Sequence, residues 1–184
     1  MAKYILYIDG KALSKEAGGF GCLIIKEGKN IGEEYGASNK SVTINRMKLY
    51  AILIGLRKIP DDANVVIVSD DEYAVKATLG LSKRNHNLDI LEMIDAEIRR
   101  FGKLDYRWIN DKNAEDKLRQ KYCTGLAQKG TEIGNYINVA DYYPLRCREK
   151  ANDMISDGDE AMQVIMNIEK EIKALRNFLK KQKI

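Results

Sequence analysis

Two aspartates lie directly after apolar runs of the sequence, where together they could hold a cation. Asp9 ends the run KYILYID (residues 3–9), and Asp70 ends the run NVVIVSD (residues 64–70). Both runs are short and β-rich, which is typical of strands buried on both faces. Ligands tend to bind at the carboxyl ends of such strands. If the strands are parallel neighbours, the two carboxylates lie side by side and repel each other unless a proton or a cation lies between them.

A lysine within an apolar helical pattern is the third residue of chemical interest. The segment TINRMKLYAILIGL (residues 43–56) predicts a helix capped by Thr43 and buried against the sheet. Lys48 lies early in this helix, where the helix dipole favours acids. Two interpretations are open: its ammonium group faces Asp9 and Asp70, or its stem snorkels to solvent. A simpler interpretation of the acids is also open, in which Asp9 and Asp71 are only turn and cap residues.

The elements that must position these residues form the pattern β-β-β-α-β-α-α-β-α, which predicts a mixed α/β domain. Predicted strands cover residues 3–9, 20–26, 31–36, 64–70 and 103–110, and the helices after the first are predicted near 71–80, 87–101 and 114–130. The first three strands are predicted to form a meander. The segment DGKALSKEAGG (residues 9–19) is predicted to be a turn-rich loop, and the last helix is predicted to end at Gly130.

The pattern changes after residue 130, so we predict two parts, residues 1–130 and a helical extension at 131–184. A long amphipathic helix is predicted at 159–183. Apolar residues recur there at heptad spacing over about three repeats, the minimum for a coiled coil: Ala161, Ile165, Ile168, Ile172, Leu175 and Leu179. This stripe could pack on its own domain, on a second copy in a homodimer, or on another protein.

Composition favours a reduced, intracellular protein with a sizeable core. The chain has 184 residues and a net charge of +4, a mild basicity that permits nucleic-acid binding without requiring it. Its three cysteines are far apart and lack metal-ligand spacing, which predicts free thiols and a cytoplasmic location. Cys22 lies in an apolar run and is predicted to be a core residue. No apolar run approaches the roughly 20 residues that span a bilayer.

Five segments, taken in order, resemble the type 1 ribonuclease H family: YIDG…GGFG, TINRMKLYA, SDDEY, NLDILEMIDAEIRRF…YRWIN and CTGLA. The resemblance covers most of residues 3–130. It implies an α/β ribonuclease H-like fold, with a mixed five-stranded sheet flanked by helices. Members of this family cleave the RNA strand of RNA–DNA hybrids, using four carboxylates that hold two divalent metals.

The match retains two of the four family acids and loses the other two. Asp9 and Asp70 match the first and third acids, which would be catalytic and metal-binding residues. Lys48 stands at the position of the helix glutamate, and Thr124 stands at the position of the last aspartate. The family's mobile histidine is also missing, since His86 lies elsewhere and is predicted to be a surface loop residue. Asp9 and Asp70 are therefore predicted to be vestigial, with the Lys48 ammonium replacing the metals.

Part of the family's substrate contact is retained. Thr43 matches a position that contacts a phosphate of the DNA strand, and Asn45 matches one that reaches into the minor groove, while Ile44 replaces a neighbouring asparagine. Lys11 and Arg84 are candidates for further phosphate contacts, together with Lys15, Lys40 and Lys83. Ordinary surface positions are the alternative for all of these basic residues.

The first hypothesis is a ribonuclease H-fold pseudoenzyme without a cofactor, which binds RNA–DNA hybrid or RNA or acts as a protein scaffold. The rival is an active hydrolase that needs magnesium or manganese. It would use Asp9 and Asp70 with rearranged ligands, for which the candidates are Asp71, Glu72, Asp111 and Glu115. A third alternative is a viral protein that inhibits a partner through the C-terminal extension. The sequence feature that separates the first two hypotheses is the basic residue at Lys48, together with the acid missing at Thr124.

Overall fold

A computed structural model describes residues 2–109 and 113–133 of the chain. The predictions made for residues 134–184, including the helix at 159–183 and its heptad stripe, lie outside the described residues. The same is true of Asp111 and Cys147. In the described part, no helix combines the length and the apolar character that a membrane span requires.

The described residues form five strands and four helices in the predicted order. The strands are β1 (Lys3–Ser14), β2 (Ala17–Lys26), β3 (Lys29–Ser38), β4 (Asn64–Ser69) and β5 (Lys103–Trp108). The helices are α1 (Ile44–Arg57), α2 (Glu72–Thr78), α3 (Leu88–Ile98) and α4 (Ala114–Ile133). The predicted α/β class and element order are confirmed.

The strands form one mixed sheet in the order β3-β2-β1-β4-β5. β1, β2 and β3 are antiparallel neighbours, as the predicted meander requires. β4 is parallel to both β1 and β5. The last register pair between β1 and β4 joins Tyr7 to Val68. Asp9 and Asp70 each follow this pair by two positions, so the topology places the two acids at the same edge of the parallel ladder.

The glycine-rich segment after Asp9 is a β-hairpin, so its prediction as a loop was wrong. β1 continues to Ser14 and β2 begins at Ala17. Its glycines serve close packing rather than a turn: a Cβ atom on Gly19 would lie only 2.2 Å from the carbonyl oxygen of Ala127 in α4. Asp9 is therefore a mid-strand residue, and it marks the end of the parallel pairing rather than the end of β1.

Gly130 does not end the last helix, so that boundary was also predicted wrongly. α4 continues to Ile133. A Cβ atom on Gly130 would lie 2.3 Å from the carbonyl oxygen of Gly36 in β3. The missing side chain of Gly130 lets the backbones of α4 and β3 touch. It does not serve as the helix cap that the sequence suggested.

Successive residues of the central strands supply the two faces of the sheet, and each face is covered by a different helix. On one face, Gly55 of α1 packs so closely that a Cβ atom there would lie 2.4 Å from Leu6 and 3.2 Å from the sulfur of Cys22. On the other face, Tyr7 and Leu23 pack with Cys123 of α4. Burial raises the pKa of the Cys22 thiol to about 12, consistent with its predicted place in the core.

Candidate functional site

The side chain of Lys48 lies among three aspartates and is only 6% exposed. Its Nζ is 2.7 Å from Oδ1 of Asp70 and 3.7 Å from Oδ1 of Asp9. A third carboxylate oxygen, Oδ2 of Asp71, is also 3.7 Å from this nitrogen. The interpretation in which Lys48 snorkels to solvent was therefore wrong, and the one in which it faces Asp9 and Asp70 is confirmed. We refer to Lys48, Asp9, Asp70 and Asp71 as the ammonium cluster.

The start of α1 is held against β1 next to Asp9. Thr43 caps α1, and its Oγ1 accepts a hydrogen bond of 3.1 Å from the backbone N–H of Arg46. A Cβ atom on Gly10 would lie 2.6 Å from the backbone nitrogen of Lys48. Only a glycine beside Asp9 lets the first turn of α1 approach this closely, and the approach brings the lysine to the acids.

Arg46 fixes the same turn of α1 to the start of α3. Its guanidinium donates two hydrogen bonds to Asp89, of 3.0 and 2.5 Å, and a third of 3.2 Å to Oδ1 of Asn87. Burial alone would raise the pKa of Asp89, but the bonds from Arg46 lower it below its ordinary value. This bidentate pair was not predicted, because two residues so far apart in sequence carry no local signal of contact.

Asp9 is held in place by hydrogen bonds to both carboxylate oxygens. The hydroxyl of Thr124 donates a bond of 2.5 Å to Oδ2, and the backbone N–H of Gly10 donates one of 2.8 Å to Oδ1. Burial raises the pKa of Asp9 above its ordinary value, while these two bonds and the nearby Lys48 favour the charged form. The structure thus brings together the four positions that the sequence resemblance predicted to match the family acids, with a hydroxyl and an ammonium at two of them.

Asp71, which the sequence suggested as a simple cap, has two roles. Its Oδ1 accepts hydrogen bonds of 2.8 Å from the N–H of Tyr73 and 3.3 Å from the N–H of Ala74, which caps α2. Its other oxygen is the one close to Lys48. The sequence feature that could have indicated this second role is the pair of adjacent acids after β4, Asp70 and Asp71.

The donor set of this site does not fit a pair of divalent metals. A metal between Asp9 and Asp70 would have to displace the Lys48 ammonium, which carries no lone pair and cannot be a ligand. Two further candidate ligands are engaged elsewhere, Glu72 with Lys76 and Glu115 with Arg119. Within residues 2–109 and 113–133, no group of three or more His, Cys, Asp or Glu side chains could hold a metal ion.

A buried network fixes the start of α4, and with it Thr124, on the sheet. The hydroxyl of Tyr7 donates a hydrogen bond of 2.5 Å to Oδ1 of Asp116, and Arg107 donates one of 2.9 Å to the same oxygen. The side chain of Asp116 is 2% exposed, and its second oxygen pairs with Arg107 as well. The bond from Arg107 lowers the pKa of Asp116. β1, β5 and α4 therefore meet at one carboxylate.

Replacing Asp116 with asparagine should lower the free energy of unfolding by about 2 kcal/mol at pH 7, because Arg107 and Tyr7 lose a charged acceptor. The folded pKa of Asp116 lies below its unfolded value, so this stabilisation is present above pH ~4 and is lost as pH falls through the folded pKa. Urea denaturation at several pH values tests both points. The control is Asp105→Asn, which removes an exposed aspartate of β5 paired with Lys103. Equal losses in the two variants would contradict the network.

The residues predicted to contact nucleic acid have different surroundings. Thr43 is exposed, and Asn45 is partly exposed at the start of α1. The Nζ of Lys11 donates to Oε1 of Gln128. Arg84 is engaged within the protein. Its guanidinium donates hydrogen bonds to the carbonyl oxygens of Ala77 and Thr78 and to both carboxylate oxygens of Asp95. Its predicted phosphate contact stays a prediction.

The fold and site together define the class of protein. An antiparallel meander followed by a helix and two parallel strands, with acids on β1 and after β4, is the ribonuclease H-like arrangement expected from the sequence. The sequence profile of the RNase H family matches residues 1–124. The chain belongs to the RNase H family.

Relatives and solved structures agree with this assignment. The Ribonuclease H of Aeromonas hydrophila subsp. hydrophila is 24% identical over 158 residues, which is 78% of this chain and 99% of the relative. The Ribonuclease H of Sulfurovum sp. (strain NBC37-1) is 37% identical over 73 residues, 39% of this chain and 48% of the relative.

Two solved structures share the fold at low identity. The N-terminal RNase H domain of a Mycobacterium tuberculosis protein, solved as a fusion with maltose binding protein, has a TM-score of 0.62 at 18% identity and covers 73% of this chain and 96% of that chain. LC11-RNase H1, isolated from compost by a metagenomic approach and solved in complex with an RNA/DNA hybrid, has a TM-score of 0.57 at 21% identity. That match covers 70% of this chain and 96% of the other.

Proposed function

We propose that this chain is an RNase H-fold domain that binds RNA–DNA hybrid or RNA and does not cleave it. The observation that supports the loss of cleavage is the position of Lys48, whose Nζ lies 2.7 Å from Asp70 and 3.7 Å from Asp9. The proposed role of this lysine is to hold a fixed positive charge between the two retained acids, where a metal would otherwise bind.

Electrostatics explain why a lysine at this position opposes metal-dependent cleavage. Hydrolysis with two metals needs cations that activate water and stabilise the leaving oxygen. A divalent ion about 4 Å from a fixed ammonium is repelled by roughly 8 kcal/mol at an effective dielectric of 20, twice the value for two unit charges. The hydroxyl of Thr124 offers no negative charge to offset that repulsion. Even with Asp71 as a third carboxylate, the buried ammonium opposes the binding of two such ions at Asp9 and Asp70.

Retained surface features and the family support nucleic-acid binding. Thr43 and Asn45 lie at the start of α1, within six residues of Lys48. A related fold, that of LC11-RNase H1, was solved with an RNA/DNA hybrid. Recognition of such duplexes depends on groove shape, 2′-hydroxyls and phosphates, none of which requires cleavage chemistry.

An active magnesium- or manganese-dependent ribonuclease H is the second candidate. Asp9 and Asp70 are both present, Asp71 adds a third carboxylate beside them, and the curated relatives are named Ribonuclease H. This candidate requires Lys48 to leave the ammonium cluster when metal binds.

One assay separates the two candidates. The protein is incubated with a labelled RNA–DNA hybrid in magnesium, in manganese and in EDTA, and both cleavage and retention on a filter are measured. We expect retention in all three conditions and no cleavage. Cleavage that disappears in Asp70→Asn would establish the active enzyme, whereas cleavage that persists in that variant comes from a contaminating nuclease. Absence of retention at low salt would contradict nucleic-acid binding and favour a protein-scaffolding role.

A further inference from the structure

The outer edge of β5 is open to a further strand. β5 is the last strand of the sheet, and in the part of the chain that the structure describes it pairs only with β4. The backbone N–H of Ile109 continues that ladder and donates a hydrogen bond of 3.2 Å to the carbonyl oxygen of Ser69. Because the backbone groups of successive residues point to opposite edges of a strand, those of Leu104, Tyr106 and Trp108 point away from β4. Such unpaired groups are a template for pairing with another chain.

The same three residues present apolar side chains next to this edge. Arg107 forms an ion pair with Asp116, which places Arg107 on the α4 face of the sheet. Alternation along the strand then places Leu104, Tyr106 and Trp108 on the opposite face. Tyr106 is 40% exposed and Trp108 is 47% exposed. A partner strand at this edge would therefore cover apolar surface as well as unpaired backbone groups.

The charges on the α4 face of β5 favour a second copy of β5 as that partner, in one register. In an antiparallel pair centred on Tyr106, Asp105 of each copy lies opposite Arg107 of the other. The two neighbouring registers with the same backbone groups facing outward place Asp105 opposite itself or Arg107 opposite itself, and like charges in that position are destabilising. Both side chains are accessible to a partner, since Asp105 is 51% exposed and Arg107 is 39% exposed.

The apolar face of β5 fits the same register. With Tyr106 at the centre, Tyr106 lies opposite its own copy, and Leu104 of each copy lies opposite Trp108 of the other. Aromatic pairs and apolar pairs of this kind stabilise neighbouring strands. One arrangement thus satisfies the outward backbone groups, the charges on one face and the apolar side chains on the other.

We infer that two copies of this chain associate through β5, as an antiparallel pair with a two-fold axis at Tyr106. The inference goes beyond the proposed function and does not depend on nucleic-acid binding. One such contact joins the open β5 edges of both copies, so at this surface the assembly closes at two chains. The contact is small, and we expect a reversible dimer at protein concentrations of about 0.1 mM.

Disulfide trapping tests the register. Tyr106→Cys places two thiols at the two-fold axis, where facing Cα atoms lie about 5.5 Å apart, within the range of a disulfide. The matched control is Trp108→Cys, on the same face of the same strand, whose two copies are at least about 13 Å apart. Both variants carry Cys147→Ser, and the native thiols Cys22 and Cys123 are buried. Mild oxidation should give a covalent dimer in Tyr106→Cys alone. Equal yields in the two variants, or no covalent dimer, would overturn the pairing.

Sedimentation of the full chain without nucleic acid tests the association itself. At about 0.3 mM the parent should be a mixture of monomer and dimer. Tyr106→Pro removes an N–H that points to the open edge and none that pairs with β4, so it should stay folded by circular dichroism and be monomeric. Tyr106→Thr is the control, since it also loses the aromatic ring but keeps the N–H. Its dimer should dissociate with a Kd at least tenfold lower than that of Tyr106→Pro.

A change of charge gives an independent test. Asp105→Lys places a lysine opposite Arg107 in both halves of the dimer, so at low salt the Kd should rise at least tenfold. The matched control is Glu16→Lys, the same change of charge at an exposed position in the turn between β1 and β2. The control should change the Kd less than threefold. A parent that stays monomeric up to about 0.5 mM would overturn the inference and leave the proposed function standing. A dimer that neither Tyr106→Pro nor Asp105→Lys weakens would overturn it as well, because the association would then lie at another surface.

Discussion

Replacing Lys48 with alanine should lower the free energy of unfolding by about 2–4 kcal/mol at pH 7, because Asp9 and Asp70 are left facing each other without a cation. Removing one partner of a buried pair typically costs about 3–5 kcal/mol. The Asp70 side chain is 53% exposed, which makes the loss smaller. Chemical denaturation measures the difference. Lys48→Met is the matched control for volume: it fills the space but leaves the acids unpaired, so it should be nearly as destabilising as alanine.

The loss in Lys48→Ala should shrink as pH falls from 7 towards 4. Burial already raises the pKa of Asp9 in the folded protein. A carboxyl with a raised folded pKa adds stability below its unfolded pKa, near 4, and that contribution is lost as pH rises through the folded pKa. Removing the ammonium raises the folded pKa of Asp9 further, so protonation relieves more of the repulsion in the variant than in the parent.

Magnesium should also restore part of the stability of Lys48→Ala, since a cation can take the place of the ammonium. The parent should show no such response. A variant as stable as the parent at every pH, with no response to magnesium, would contradict the role assigned to Lys48 in the ammonium cluster.

Lys48→Glu combined with Thr124→Asp should convert the site into one that binds divalent cations. The change removes the buried ammonium and adds two carboxylates beside Asp9 and Asp70. Without metal the double variant should be less stable than the parent, because four acids repel one another. Magnesium or manganese at about 100 times its Kd should then stabilise it by about 2.7 kcal/mol. A rise in melting temperature and a heat of binding by calorimetry measure this.

The control for the double variant is Lys48→Gln/Thr124→Asn, in which side chains of the same size carry no charge. That control should bind divalent ions no more tightly than Lys48→Ala does, and much more weakly than the double variant. A double variant that is folded by circular dichroism but gives neither a heat of binding nor a shift in melting temperature would show that the four positions do not converge as the contacts of Lys48 and Thr124 indicate.

The positions of Asp9 and Asp70 were predictable from the sequence, because continuous apolar runs indicate the two buried strands that precede them. Asp9 and Asp70 each follow such a run, and parallel neighbours bring such positions to one edge of the sheet. The contact of Lys48 with these two acids was also predictable, because a lysine in an otherwise buried helix needs a counter-ion or water.

Other features could not be predicted because their signals are ambiguous or distant. Glycine marks turns in most sequences, but Gly19 and Gly130 instead allow α4 to touch the sheet, which only tertiary packing reveals. The contact of Asp116 with Tyr7 joins residues more than 100 positions apart. Such pairs leave no periodic pattern in a single sequence.

The continuation of β1 past Asp9 gives the two retained acids unequal local stability. Asp9 is paired with Gly21 in the antiparallel ladder, inside the cooperative centre of the sheet. Asp70 follows the end of β4 and precedes α2, a helix of only seven residues. Segments with few buried contacts open at a lower free energy than central strands. We therefore expect separation of Lys48 from an acid to begin on the Asp70 side, because Asp9 is held within the central ladder of the sheet.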